Sequence, residues 1–276
     1  MIRVHTVLAA ILFYVTTPVT RQLDHILIES SDPKALFALF ADTLQFPVAW
    51  PLSENQGYVT GGVGAGNVNL EFFAYRSIPS GLSRTHYYGL AFEPYPLSDA
   101  LKRLQSLGIS YGSPEPYTTT LPNGTRGIGW TTVALPTVSK PATSVFLYEY
   151  SPAFLKVDVR RKQLGNRLTL NNGGPLGLVS VREVVIVSST LKHDTGIWSQ
   201  LLGTPAKAGS WRAGAGPAIR LVQGKEDRIW GLTLKVQSLD RAKSFLKTNR
   251  LLGSVSANGA LISPLKVQGL QILLSE

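Results

Sequence analysis

Four times along the chain the sequence repeats one rhythm: a short β-rich run, a turn, then an amphipathic helix. Self-similarity on this scale decides the architecture before any single motif does. The first unit opens with Leu23-Asp24-His25-Ile26-Leu27-Ile28-Glu29. Its helix starts at Asp32-Pro33, a suitable N-cap followed by a suitable first helical residue. Leu36, Phe37, Leu39, Phe40 and Leu44 then supply an apolar stripe at helical spacing. The second unit runs from Tyr87-Tyr88-Gly89-Leu90-Ala91-Phe92 to a helix over 98–107, closed by Gly108. The third pairs a strand over 181–187 with a helix over 193–202, and the fourth a strand over 229–236 with a helix over 239–252. Tyr88-Gly89-Leu90-Ala91-Phe92 lies over Trp230-Gly231-Leu232-Thr233-Leu234, each leading to its helix at the same offset.

Between these units stand strand-like stretches bounded by Gly, Pro and Asn, at 57–63, 67–75, 128–135, 143–150, 218–223, 260–262 and 268–274. The pattern predicts strand, helix, then about three strands, four times over. That is an α+β fold of tandem βαβββ units forming cupped mixed sheets flanked by helices. At 276 residues with 44% hydrophobic and 16% charged, the chain has material for two cores. We expect domains at 21–151 and 177–276. Between them 152–176, with its basic run Lys156 to Lys162 and Asn171-Asn172-Gly173-Gly174-Pro175, reads as a solvated linker.

The chain has no cysteine, which excludes disulfides, iron–sulfur clusters and thiol catalysis. Any metal must be held by Asp, Glu, water or the four histidines His5, His25, His86 and His193. The formal net charge of +10 admits nucleic acid as a partner, but the positive residues are scattered and lack interleaved aromatics, so no nucleic-acid site is expected. Residues 1–20 have the layout of a secretory signal peptide: Arg3, an apolar run from Val7 to Val15, then small and turn-forming residues. Export to the periplasm or medium is the expectation, with no stable membrane insertion once the signal is removed.

Leu23-Asp24-His25-Ile26-Leu27-Ile28, the Asp-Pro helix start, Gly61-Gly62-Val63-Gly64-Ala65-Gly66-Asn67-Val68-Asn69-Leu70-Glu71 and the closing Phe146-Leu147-Tyr148-Glu149-Tyr150 together resemble a glyoxalase-like domain of the vicinal oxygen chelate superfamily. The resemblance covers about 21–151, and 177–276 resembles a second, degenerate copy. It implies two βαβββ units folded into a cup that holds a divalent metal. His25 matches the opening ligand, Glu71 a carboxylate on the fourth strand, and Glu149 the closing carboxylate. Gly89 stands at the remaining ligand position and offers no donor. In the second copy Glu183 aligns with His25, Arg220 with Glu71, Gly231 with Gly89 and Gln271 with Glu149.

One imidazole and two carboxylates suit Zn²⁺, Fe²⁺, Mn²⁺ or Ni²⁺, with positions open for two adjacent substrate oxygens. The implied activity is that of a metal-dependent lyase, isomerase or dioxygenase acting on a small molecule. The alternative is a metal-free small-molecule binding module on the same fold. Strand alternation puts Glu71 with Asn69 and Phe73, and Glu149 with Leu147. Pointing to solvent, or pairing with Arg84 or Arg126, remains open for both carboxylates, as does a core or surface role for His25. Trp50, Tyr88 and Trp130 are candidates to line the pocket or to fill the core. The second domain could replace the partner that single-domain relatives recruit, which predicts a monomer.

Overall fold

Residues 23–28 show no polar alternation beyond Asp24-His25, the signature of a strand covered on both faces. In the computed structural model, which describes residues 18–54, 57–75 and 84–276, this run is buried almost throughout as β1 (Thr20–Glu29). Residues 1–17 of the expected export segment lie outside the described residues. After β1 come α1 (Pro33–Ala38), extended by a π turn (Leu39–Thr43), then β2 (Val48–Glu54), β3 (Tyr58–Gly64) and β4 (Asn69–Tyr75). The second unit consists of β5 (His86–Pro94), α2 (Leu97–Ser106), β6 (Glu115–Thr120), β7 (Arg126–Ala134) and β8 (Ser144–Tyr150). Asp32 caps α1 through Ala35 N at 3.0 Å, as its position predicts.

These strands form one eight-stranded sheet in the order β2-β3-β4-β1-β5-β8-β7-β6. In it β4 runs parallel to β1, β8 runs parallel to β5, and β1 and β5 meet antiparallel at the centre. Two βαβββ units therefore join edge to edge. Residue 25 faces residue 69 in the first unit and residue 89 faces residue 144 in the second. Phe40 packs edge-on against Phe46 and beside Phe72 at 4.9 Å, closing the core between α1 and the sheet.

A helix, α3 (Val157–Leu170), follows, where the sequence reads as a solvated linker. Leu164 and Leu168 bury one face of it, and Arg160 and Arg161 stand on that face one turn earlier. The basic run is therefore a helix whose two central arginines turn inward.

The second sheet comprises β9 (Leu178–Ser188), α4 (Leu191–Leu202), β10 (Ser210–Arg212), β11 (Ala218–Gln223), β12 (Arg228–Val236), α5 (Leu239–Thr248), β13 (Leu252–Ser256), β14 (Gly259–Ile262) and β15 (Ile272–Ser275). Its order, β10-β11-β9-β12-β15-β14-β13, copies the first sheet with one strand fewer. Among the described residues the third unit has two strands after its helix, not three, and the edge falls to three-residue β10. Helix α5 stops at Thr248, earlier than periodicity predicts, because Asn249 and left-handed Arg250 turn the chain into β13. No helix among the described residues is long and apolar enough to cross a membrane.

The sheets are joined by polar contacts around one shared core. Asn67 accepts from Val181 N and donates to the carbonyls of Val181 and Ala215. Gln268 Oε1 accepts from the hydroxyls of Ser30, Ser31 and Thr85 at 2.6–3.2 Å. Gly66 permits the first contact. Its φ is +87°, and a Cβ there would lie 2.4 Å from Val179 O. Gly66→Ala is expected to lose about 2 kcal/mol or more, from left-handed strain plus backbone overlap. Urea denaturation would show this as a lower midpoint.

Candidate functional site

Adjacent residues on an unbroken strand point to opposite faces. At Asp24 the strand is broken: Leu23 pairs with Phe92 and His25 with Ala91, which leaves Asp24 as the extra residue of a β-bulge. The bulge brings the Asp24 carboxylate to His25, with Oδ2 2.8 Å from Nδ1 and both side chains 2% exposed. A carboxylate so buried is tolerated only with partners. Here they are His25, the Tyr150 hydroxyl at 3.4 Å, and the Arg160 guanidinium, which donates to both oxygens at 3.1 and 3.3 Å. Arg161 stands 3.8 Å away and is engaged at 2.8 Å with Glu93. Burial pushes the Asp24 carboxyl up, but the His25 hydrogen bond and the Arg160 and Arg161 charges outweigh it and hold the group below its ordinary range.

The other imidazole nitrogen faces Glu71. Leu27 pairs with Glu71 across β1 and β4, and Glu71 Oε2 lies 3.4 Å from His25 Nε2. Thr60 on β3 donates to Glu71 Oε1 at 2.7 Å. If Nδ1 carries the proton given to Asp24, an unprotonated Nε2 would set a lone pair against a carboxylate oxygen. The contact becomes attractive when a proton or another positive species sits between them.

His25 and Glu71 form the floor of a cavity of about 310 Å³. Its walls are aromatic. Tyr117 and Trp130 stack at 4.2 Å and 14°, and Trp130 lies nearly parallel to Tyr148 at 5.9 Å and 18°. Trp50 closes another side because Gly62 leaves it room: a Cβ at 62 would sit 2.4 Å from the indole. Arg160 stacks over Tyr150 at 4.8 Å and reaches toward Trp50 at 5.7 Å. Burial, and then neighbouring Tyr150, raise the Tyr148 hydroxyl well above its usual range. Burial and Asp24 do the same for Tyr150, so both remain hydrogen-bond donors.

Two of the three expected ligands are thus together, and the third is elsewhere. Glu149 shares the helix-facing side of β8 with Leu147, and its Oε1 accepts from Leu97 N at 2.7 Å, capping α2. Counting two residues on from the pairs 25–69 and 89–144 gives Glu71 in one unit and Phe146 in the other. The closing position therefore holds Phe146, one of the rings edge-on to His25. Gly89 is closed to any side chain, since its Cβ would lie 2.4 Å from Ser144 O. In the second sheet Gly231 faces Gln271, so Gln271 matches Ser144 rather than Glu149. The partner of Glu149 is Glu276, whose Oε1 accepts from Leu239 N at 2.6 Å to cap α5.

Trp50 and Trp130 line the cavity. Tyr88 does not: it packs against Phe73 at 5.3 Å and His86 at 6.3 Å. Half-buried His86 contacts Arg84 O through Nδ1. Sequence reading missed Asp24, Thr60, Tyr148, Tyr150 and Arg160. The spacing of Arg160 and Arg161 ahead of Leu164 and Leu168 was the available signal, an arginine pair on a helix's buried face.

Neither protein-family models nor curated proteins match the chain. Solved structures do. Homoprotocatechuate 2,3-dioxygenase from Brevibacterium fuscum superposes with a TM-score of 0.61 at 11% identity, over 95% of this chain and 82% of that one. A hypothetical protein from Staphylococcus aureus gives 0.60 at 11%, over 92% and 98%. The Arthrobacter globiformis homoprotocatechuate 2,3-dioxygenase gives 0.57 at 11%, over 95% and 81%. The chain has the vicinal oxygen chelate fold. Among the described residues no group of three His, Asp or Glu is arranged to hold a metal, with Phe146 and Gly89 at the positions that would finish one.

Removing the α2 cap by Glu149→Ala is expected to lower stability by about 1 kcal/mol while leaving the cup intact. Chemical denaturation together with near-ultraviolet circular dichroism of the cup aromatics would show both. Asp24 supplies a second expectation. Its folded carboxyl protonates below 3.8, so its stabilisation is complete above that value and lost as pH falls through the lower folded one. Asp24→Asn is therefore most damaging near neutrality, and its stability deficit against the wild type shrinks in acid. Urea titrations at several pH values check this.

Proposed function

We propose that the first cup binds a small planar aromatic compound and does so without a three-ligand metal centre. One observation carries the proposal. Glu149 is committed to the α2 cap and Phe146 stands in its place, so His25 and Glu71 face an aromatic-walled cavity as a polar pair. The parallel faces of Trp130, Tyr117 and Tyr148 suit a flat ring. At the floor, His25 Nε2 and Glu71 Oε2 would meet the ring's hydroxyl or amino substituents. Arg160 holds Asp24, and Asp24 holds the imidazole, so the pair is preorganised before a ligand arrives. The Brevibacterium fuscum dioxygenase of the same fold is in complex with 3,4-dihydroxyphenylacetate, a ligand of this shape.

The second reading is a metal-dependent dioxygenase, lyase or isomerase, and one distance favours it. Two ligand atoms each about 2.1 Å from one ion at a near-tetrahedral angle stand about 3.4 Å apart, which is the separation of His25 Nε2 and Glu71 Oε2. There the two side chains would hold a divalent ion, which would supply Lewis-acid chemistry. Export, read from residues 1–20, remains part of this proposal. Recovery of a shortened chain outside the cytoplasm is its check.

Tryptophan fluorescence titration with 3,4-dihydroxyphenylacetate and related catechols, with and without chelator, separates the readings. Saturable quenching that survives chelator, and weakens about tenfold in Trp130→Ala, is the expected result. A stoichiometric metal in chelator-free protein that is lost in His25→Ala, with binding abolished by chelator, would establish the metal-dependent reading instead.

A further inference from the structure

The second sheet carries the same two site positions with different chemistry. Glu183 pairs with Ala218 across β9 and β11 as His25 pairs with Asn69, so Arg220 takes the place of Glu71. Arg220 holds Glu183 through Nε at 2.9 Å and Nη2 at 3.1 Å, and Thr233 adds a hydroxyl to the same carboxylate at 3.3 Å. The carboxylate is satisfied, while the guanidinium has five N–H groups and has used two of them. Direct pairing of Ser210 with Arg220 and of Arg212 with Ala218 sets Arg212 on the same face.

This face forms the wall of a concavity of about 400 Å³ between β9, β11 and the loop before β10. Its charged lining is Arg182, Lys207, Arg212 and Arg220 against Glu183 alone. Arg182 donates to the main-chain oxygen of Glu276. Lys207 and Arg212 make no side-chain ion pair among the described residues. Ala206, Ala208 and Ala218 leave the space unfilled, and the strand that carries Trp50 over the first cup has no counterpart here. The second cup is lined chiefly by cations, whereas the first is walled by aromatic rings around His25 and Glu71.

We propose that the second cup is a binding site for a small oxyanion, a carboxylate or phosphate group, held by Arg212, Lys207 and the unused N–H groups of Arg220. Planar guanidinium forks match both anions, and lysine adds a point charge. Glu183 orients Arg220 and also limits the affinity, because its negative charge lies beside the bound anion. The site is independent of the ligand proposed for the first cup.

Isothermal titration of the whole chain with inorganic phosphate and with succinate, at low chloride, tests it. Saturable binding of either probe is expected, weakened about tenfold in the Lys207→Ala/Arg212→Ala double variant. Both residues are exposed, so that variant is expected to unfold at the wild-type denaturant concentration. Glu183→Gln is expected to tighten binding several-fold, an effect that loss of structure would not produce. Catechol titration of the first cup in the double variant is expected to match the wild type, which keeps the two sites separable. No saturable binding of either anion, unchanged affinity in the double variant, or weaker binding in Glu183→Gln would overturn the proposal.

Discussion

A buried carboxylate at one β-bulge organises the first cup. Left alone in an apolar sheet, Asp24 would be too costly to keep ionised, and its partners are what assemble the site. His25 turns its Nδ1 to Asp24 and therefore presents Nε2 to the cavity. Arg160 reaches Asp24 from α3, which draws the helix between the two sheets into the wall of the cup and lays a guanidinium over Tyr150. Arg161 extends the same network to Glu93, and Glu93 in turn pairs with Arg21. One carboxylate thus couples the central strand, the connecting helix and the imidazole.

The two sheets share a strand order and differ at their cup positions. Fold-supporting features recur: a glycine at 89 and 231 where no Cβ fits, and a glutamate at 149 and 276 capping the helix of its unit. The cup positions diverge. His25 with Glu71 becomes Glu183 with Arg220, and the strand that carries Trp50 has no counterpart. The recurrence of Glu149 as Glu276 is the clearest sign that its work is structural, since the second cup keeps the cap without keeping the histidine.

The repeats, the central strands and the helix starts were legible because they depend on local patterns, apolar runs and N-caps, while the meeting of His25 with Glu71 was implied only by the resemblance to a glyoxalase-like domain. Strands β2, β6, β10 and β13 were not, being short, exposed or interrupted by proline, so their pairing comes from the neighbouring strand rather than from their own residues. Glu149 was misread through register. Alternation placed it beside Leu147, but which face of β8 looks into the cup follows from the pairing of Gly89 with Ser144. Tyr88 was misplaced for the same kind of reason, and Asp24 was overlooked because a bulge suspends alternation where it matters most.

By itself the sequence determined that this chain builds recurring strand–helix units around apolar strands, a consequence of periodicity, which acts over a few residues. Only the tertiary structure decided that Phe146 rather than Glu149 completes the cup, that a basic connecting run becomes its wall, and that the second cup is cationic. Each of those depends on strand register and on a bulge of one residue, and a shift of one residue reverses which side chains face the cavity.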